Sequence, residues 1–273
     1  MTDIIIQMFS YSFMVRAIIV GILVSLCSSL LGVSLVLKRY SMIGDGLSHV
    51  GFGALAVATA LGISPMHITI PVVVVSAILL LRVSESGKLK GDSAIGIIST
   101  SALALGVLTI SLTSGLNTDL YNYLFGSILA MTKNDVYLSI GLSVCSLAAF
   151  VIFYNKIFSV TFDESFARAC GTRVKNYYML IAVLTAVTIV LGMRMMGSMI
   201  ISALIIFPAI TSMRLFRSFR TVTISSAVIS VICFMISITL SYVYDLPTGA
   251  TLVAVHLCIL AAAEIIRKII SQK

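Results

Sequence analysis

The sequence predicts an all-α, polytopic membrane protein: a bundle of eight or nine transmembrane helices with one short helix on the cytoplasmic surface. Three observations predict it. Hydrophobic residues fill 59% of the 273 positions and charged residues only 10%, for a mean hydropathy of +1.14. Apolar stretches of about 18–25 residues recur along the chain, each long enough to cross about 30 Å of hydrocarbon. The polar–apolar alternation of a membrane barrel is absent, so helices are left as the way to pair every backbone group in lipid. No stretch has the composition of a soluble domain, and residues 1–273 read as a single membrane domain.

The N-terminus, MTDIIIQMFSYSFMVRAII, lacks a basic region and a small-residue cleavage site, so it does not read as a signal peptide. Residues 3–13 instead suit a short interfacial helix. The first span, 17–37, stops at KRYS, and the second, 46–62, is rich in glycine. The third, 66–82, follows Pro65 and ends in RVSESGKLKGD; the fourth covers 93–112. NTDLYNYLFGSILAMTKND, 117–135, suits an external loop with a short half-inserted helix. The fifth span, 134–154, leads into FDESFARACG. That stretch, 162–171, reads as an amphipathic surface helix with Phe162, Phe166 and Ala169 on one side, Asp163, Glu164 and Arg168 elsewhere, and Gly171 as its stop. Spans at 176–192 and 196–213 follow, the latter interrupted by Pro208, which frees a carbonyl one turn earlier. RLFRSFR separates them from 221–243, and Pro247-Thr248-Gly249 opens the last span, 248–266.

Charge orients these passes. With loops 38–41, 82–92, 155–176, 214–220 and the C-terminus on one side, fifteen of the 18 basic residues lie there. The positive-inside rule makes that side cytoplasmic, with the N-terminus outside and the C-terminus inside. The net charge of +8 is thereby explained by flanking residues and does not call for nucleic acid. The five cysteines are dispersed without a C-x-x-C pair, which suggests neither a disulfide framework nor a thiolate metal site; four suit packing positions and Cys170 a free thiol in a loop.

The chemistry concentrates in the second span. Asp45 and His49 stand four residues apart in SMIGDGLSHVGFGALAVA, so on a helix they share a face, with Cβ atoms about 5–6 Å apart. Ionisable residues inside lipid are costly and mark functional sites by default. Carboxylate oxygen plus imidazole nitrogen suits a borderline ion such as Zn²⁺ or Mn²⁺, held transiently in a translocation path. The flanking Gly44 and Gly46 suggest an irregular backbone, which at membrane depth is tolerated where it lines a cavity. The competing reading leaves both residues in a wetted cytoplasmic mouth, with Asp45 capping the helix. His67 near Pro65 reads as structural. His256, inside the last span, is a secondary metal candidate beside the reading of a buried neutral histidine. Met193, Met195, Met196 and Met199 form no regular ladder for Cu(I) and read as packing. No G-x-x-x-x-G-K-[ST], H-E-x-x-H or G-x-S-x-G is present, so the chain has no P-loop and no motif for membrane-embedded catalysis.

Four stretches together resemble the permease subunits of the bacterial zinc/manganese ABC importers, the ABC-3 family. They are KRYSMIGDGLSHVGFGALA, similar to that family's basic-residue and Gly-Asp-x-x-Ser-His signature; YLFGSILAMTKNDV; FDESFARACG, similar to its coupling-helix pattern; and MGSMIISALIIFPAITS followed by LPTGATLVAV. The resemblance implies a homodimer or pseudo-dimer of permeases around a central path in a bacterial plasma membrane. It implies a separate cytoplasmic ATP-binding subunit and an extracellular metal-binding lipoprotein, with Zn²⁺ or Mn²⁺, and after them Fe²⁺, as the transported ion rather than a bound cofactor. Carried over, Asp45 and His49 contact the ion. Asp163, Ala167 and Gly171 fall in the ATPase-docking segment, with Glu164 beside them. A proton-coupled secondary metal transporter is the alternative, because histidine titrates near neutrality.

Overall fold

The computed structural model describes residues 8, 10–85, 91–113, 124, 126 and 132–271. The expected interfacial helix over residues 3–13 lies largely outside them, and the half-inserted helix at 117–135 almost entirely so. Eleven helices are present among the described residues. They are α1 (Ser12–Leu37), α2 (Ser41–Ala60), α3 (Pro65–Glu85), α4 (Gly91–Thr113), α5 (Lys133–Ile152), α6 (Tyr154–Phe162), α7 (Glu164–Ala169), α8 (Val174–Met196), α9 (Ile201–Leu215), α10 (Phe219–Tyr244) and α11 (Thr248–Ser271).

Seven of these, α1, α3, α4, α5, α8, α10 and α11, are long and apolar enough to cross a membrane. The sequence led to eight or nine passes, and the difference lies in α2 and α9. In α2, Asp45, Ser48, His49 and four glycines dilute an apolar helix of 20 residues. α9 has 15 residues, about 22 Å at 1.5 Å per residue, which is short of the hydrocarbon thickness. Both are interior helices. α2 packs along α4 and α3 on one side and against α8 and α9 on the other; α9 is flanked by α1, α10 and α11. The lateral surface is left to apolar helices such as α4, whose Leu105, Leu108 and Leu112 are exposed.

Helices that gain nothing hydrophobic from each other in lipid associate through small residues and interhelical hydrogen bonds. α1 shows both. Ser226 and Ser230 of α10 donate to the Ser29 and Ser25 carbonyls at 3.2 and 3.1 Å. A Cβ on Gly32 would lie 2.1 Å from the Ile205 carbonyl oxygen of α9, so only glycine lets those two backbones meet. In the same way a Cβ on Gly53 of α2 would fall 2.7 Å from the Ala102 oxygen of α4.

Two expected boundaries move. α8 runs on to Met196, and a buried turn, Gly197–Ile200, separates it from α9. Gly197 takes φ 90° there, a conformation that glycine adopts without steric cost. The fifth span ends at Ile152, and α6, which covers residues expected in the 155–176 loop, follows after Phe153. Of the cysteines assigned to packing, Cys27 and Cys233 are buried, whereas Cys145 and Cys258 lie exposed on the bundle surface.

Candidate functional site

α2 is a continuous α-helix from Ser41, whose N-cap is Tyr40 with no side-chain cap bond. Asp45 therefore does not cap it, and the glycines beside Asp45 do not break it. Ser48 donates to the Asp45 carbonyl at 2.8 Å within the helix. One turn apart, Asp45 Oδ2 and His49 Nε2 stand 3.7 Å from each other, the carboxylate side chain 39% exposed and the imidazole 12%. Two ligands at about 2.0–2.1 Å on a tetrahedral ion are about 3.4 Å apart, so the pair could share one ion after a shift of a few tenths of an ångström. His49 Nδ1 is buried with no hydrogen-bond partner among the described residues. From α9, Ser202 Oγ donates to Asp45 Oδ1 at 3.4 Å.

Among the described residues no group of three or more His, Cys, Asp or Glu side chains could hold a metal ion. His256 is buried on α11 with Phe207 of α9 at 6.2 Å between ring centroids, and neither of its ring nitrogens has a partner among the described residues. His67 pairs locally with Ser64 at 2.9 Å. Met193, Met195 and Met196 are buried while Met199 is exposed; the Met193 sulfur fills the space beside Gly51 of α2.

The 162–171 stretch forms α7, with Asp163 as N-cap accepting from Phe166 N at 2.9 Å. Glu164 pairs with Arg168 and accepts from Tyr178 Oη of α8 at 2.9 Å, which ties α7 to the bundle. Gly171, at φ 73°, donates to the Arg168 carbonyl and ends the turn. Ala167 is 1% exposed and seated on the core, whereas Phe162 and Phe166 are 63% and 64% exposed. Phe162 ends α6 and Phe166 lies on α7, so the extended backbone at Asp163 splits the single helix expected over 162–171.

Two features were missed from sequence. Ser202 passed as one more small residue in GSMIISAL. Asp135 and Arg194 join α5 to α8 through an ion pair at 3.0 Å, with side chains 11% and 9% exposed. Asp135 also closes a capping box with Thr132; the T-x-x-D spacing is the legible signal for the cap, and nothing in sequence names Arg194 as its partner.

Comparison with known proteins follows from this geometry. The model of the ABC 3 transport family matches residues 10–267. The chain is 30% identical over 257 residues to the manganese transport system membrane protein MntC of Halalkalibacterium halodurans, covering 94% of this chain and 88% of that protein. It is 31% identical over 238 residues to the high-affinity zinc uptake system membrane protein ZnuB of Haemophilus influenzae, covering 87% and 91%. A solved structure of PsaBC from Streptococcus pneumoniae in complex with Fab superposes with a TM-score of 0.86 at 27% identity, covering 96% of this chain and 94% of that one.

Proposed function

From its membership of the ABC 3 transport family, we propose that this chain is the membrane-spanning permease of an ATP-driven importer of divalent metal ions, Zn²⁺ or Mn²⁺. The carrying observation is the Asp45–His49 pair, 3.7 Å apart on an interior helix of a bundle whose lateral helices are apolar. Relatives named for manganese and for zinc stand at 30% and 31% identity, so both ions remain substrates of the proposal. One chain offers two ligands. Two copies facing a common path would offer four, and keeping them on separate subunits leaves the site able to open, unlike a closed structural zinc cage.

In this reading α2 and the short α9 cross the membrane together with the seven longer apolar helices that shelter them. The basic residues of the connections orient the N-terminus outside and the C-terminus in the cytoplasm. The chain carries no P-loop, so a separate ATP-binding subunit drives the change in access. That subunit docks on α7, where Asp163, Glu164, Ala167 and Gly171 shape the helix, Phe166 projects from it and Phe162 projects from the adjoining end of α6. An extracellular metal-binding lipoprotein delivers the ion. His256, lacking a second ligand nearby, is outside the proposed path.

The test is uptake of radiolabelled Zn²⁺ and Mn²⁺ by cells carrying Asp45→Ala or His49→Ala, with membrane abundance and ATPase co-purification measured beside it. Uptake is lost while the complex assembles. Normal uptake by both variants refutes the site.

A further inference from the structure

We propose that Ser202 is a positioning residue that keeps the Asp45 carboxylate monodentate, so that the pair hands a divalent ion on instead of retaining it. This rests on the reading of Asp45 and His49 as contacts for the transported ion. The two carboxylate oxygens have different neighbours: Oδ2 faces His49 Nε2 at 3.7 Å and Oδ1 faces Ser202 Oγ at 3.4 Å. A carboxylate with both oxygens free can grip a cation in bidentate fashion. A hydroxyl donating to Oδ1 competes for that oxygen and leaves Oδ2, the one beside the imidazole, to the ion.

Ser202 bonds to another helix, as Ser226 and Ser230 do, but to a carboxylate where they meet backbone carbonyls. Hydroxyls within these helices commonly bond back to the carbonyl one turn earlier, as Thr188, Thr211 and Thr223 do to Leu184, Phe207 and Phe219. Ser202 points across to α2 instead. At 3.4 Å the bond is long for a hydroxyl donor, so it restrains the carboxylate without locking it. Its place is set by the Gly197–Ile200 turn, because Ser202 is the second residue of α9. That turn is held at one end by the Arg194–Asp135 pair and by Met199 N donating to the Leu124 carbonyl. A shift of the turn therefore moves the hydroxyl off Asp45 without breaking either helix.

The experiment uses the complete transporter, purified with its partner subunits, and compares Ser202→Ala, Ser202→Val and Ser202→Thr with Asp45→Ala. Zn²⁺ and Mn²⁺ retained at equilibrium and maximal uptake in cells are both read. The Ala and Val variants bind the ions roughly tenfold more tightly, equivalent to about 1.4 kcal/mol, and transport them more slowly by a similar factor. Thr, which matches Val in shape but keeps the hydroxyl, behaves as wild type. Weaker retention in Ala and Val makes the hydroxyl itself a ligand and overturns the proposal. So do wild-type behaviour of both, a Thr variant that follows Val, or failure of Ala and Val to accumulate, which assigns the hydroxyl to folding. Intact retention and uptake in Asp45→Ala defeats the metal-site reading itself, an outcome distinct from all of these.

Discussion

Replacing Gly32 with alanine tests whether close helix contact, rather than hydrophobicity, places the site. The new Cβ would sit 2.1 Å from the Ile205 carbonyl oxygen, against 3.4 Å for ordinary contact. The obstruction is backbone, so no rotamer change relieves it and α1 and α9 must separate by about 1.3 Å. Overpacking of this kind costs about 1–3 kcal/mol. The same movement shifts Ser202, three residues before Ile205, relative to Asp45 and disturbs their 3.4 Å contact. Gly141→Ala and Gly96→Ala are the controls: each lies in a helix with nothing within 4 Å of the added carbon. There the reduced chain entropy of alanine stabilises by about 0.5–1 kcal/mol. Thermal denaturation in detergent and metal uptake in cells read the two consequences. Gly32→Ala lowers the midpoint and uptake, while the controls hold or raise the midpoint. A Gly32→Ala protein with wild-type midpoint and uptake would refute the reasoning.

Other substitutions probe separate links. Arg194→Gln strands the buried Asp135 charge and costs about 3 kcal/mol; in a double-mutant cycle with Asp135→Asn, additive losses would show that the 3.0 Å pair is not coupled. Phe166→Ala removes an exposed ring and leaves stability within about 0.5 kcal/mol, but lowers co-purification of the ATP-binding subunit; unchanged co-purification removes that ring from the docking surface. Gly171→Val forces a β-branched residue to φ 73° at about 1–2 kcal/mol, and shows as a local rise in amide exchange around α7. His256→Phe removes two ring nitrogens without partners among the described residues, so uptake persists and the thermal midpoint holds or rises; lost uptake at normal abundance would give His256 a role in the path.

The parts of the fold that were legible in sequence are those where lipid leaves few choices. α1, α3, α4, α5, α8, α10 and α11 each announce themselves by length and apolarity. The Asp45–His49 pair was legible for the converse reason, since polar groups stand out against that background and helical spacing alone brings them to one face. What was not legible depends on neighbours distant in sequence. Ser202 meets Asp45 across 157 positions, and Arg194 meets Asp135 across 59; neither helix pattern records the other's rotation. The stretch 162–171 reads as one helix in sequence, but the extended backbone at Asp163 splits it between α6 and α7, and so short a helix is seated by what it is tied to, here Tyr178 and the core beneath Ala167.

α2 joins these observations. A helix bearing a carboxylate, an imidazole and a serine is a poor candidate for contact with lipid, and its polar groups would cost several kcal/mol there. Four glycines lower its hydropathy further, yet they are what let it be buried: without side chains at Gly46 and Gly53, α4 comes close enough through its Ile95 and Ala102 to cover it. The residues that make α2 look unlike a membrane span are therefore of two kinds, the polar ones of the proposed site and the glycines that allow other helices to shield it. Filling Gly53 with alanine should open that shield at the Ala102 carbonyl without touching Asp45 or His49. Lower stability with unchanged ion preference would separate the two kinds; altered ion preference would show that α4 also shapes the site.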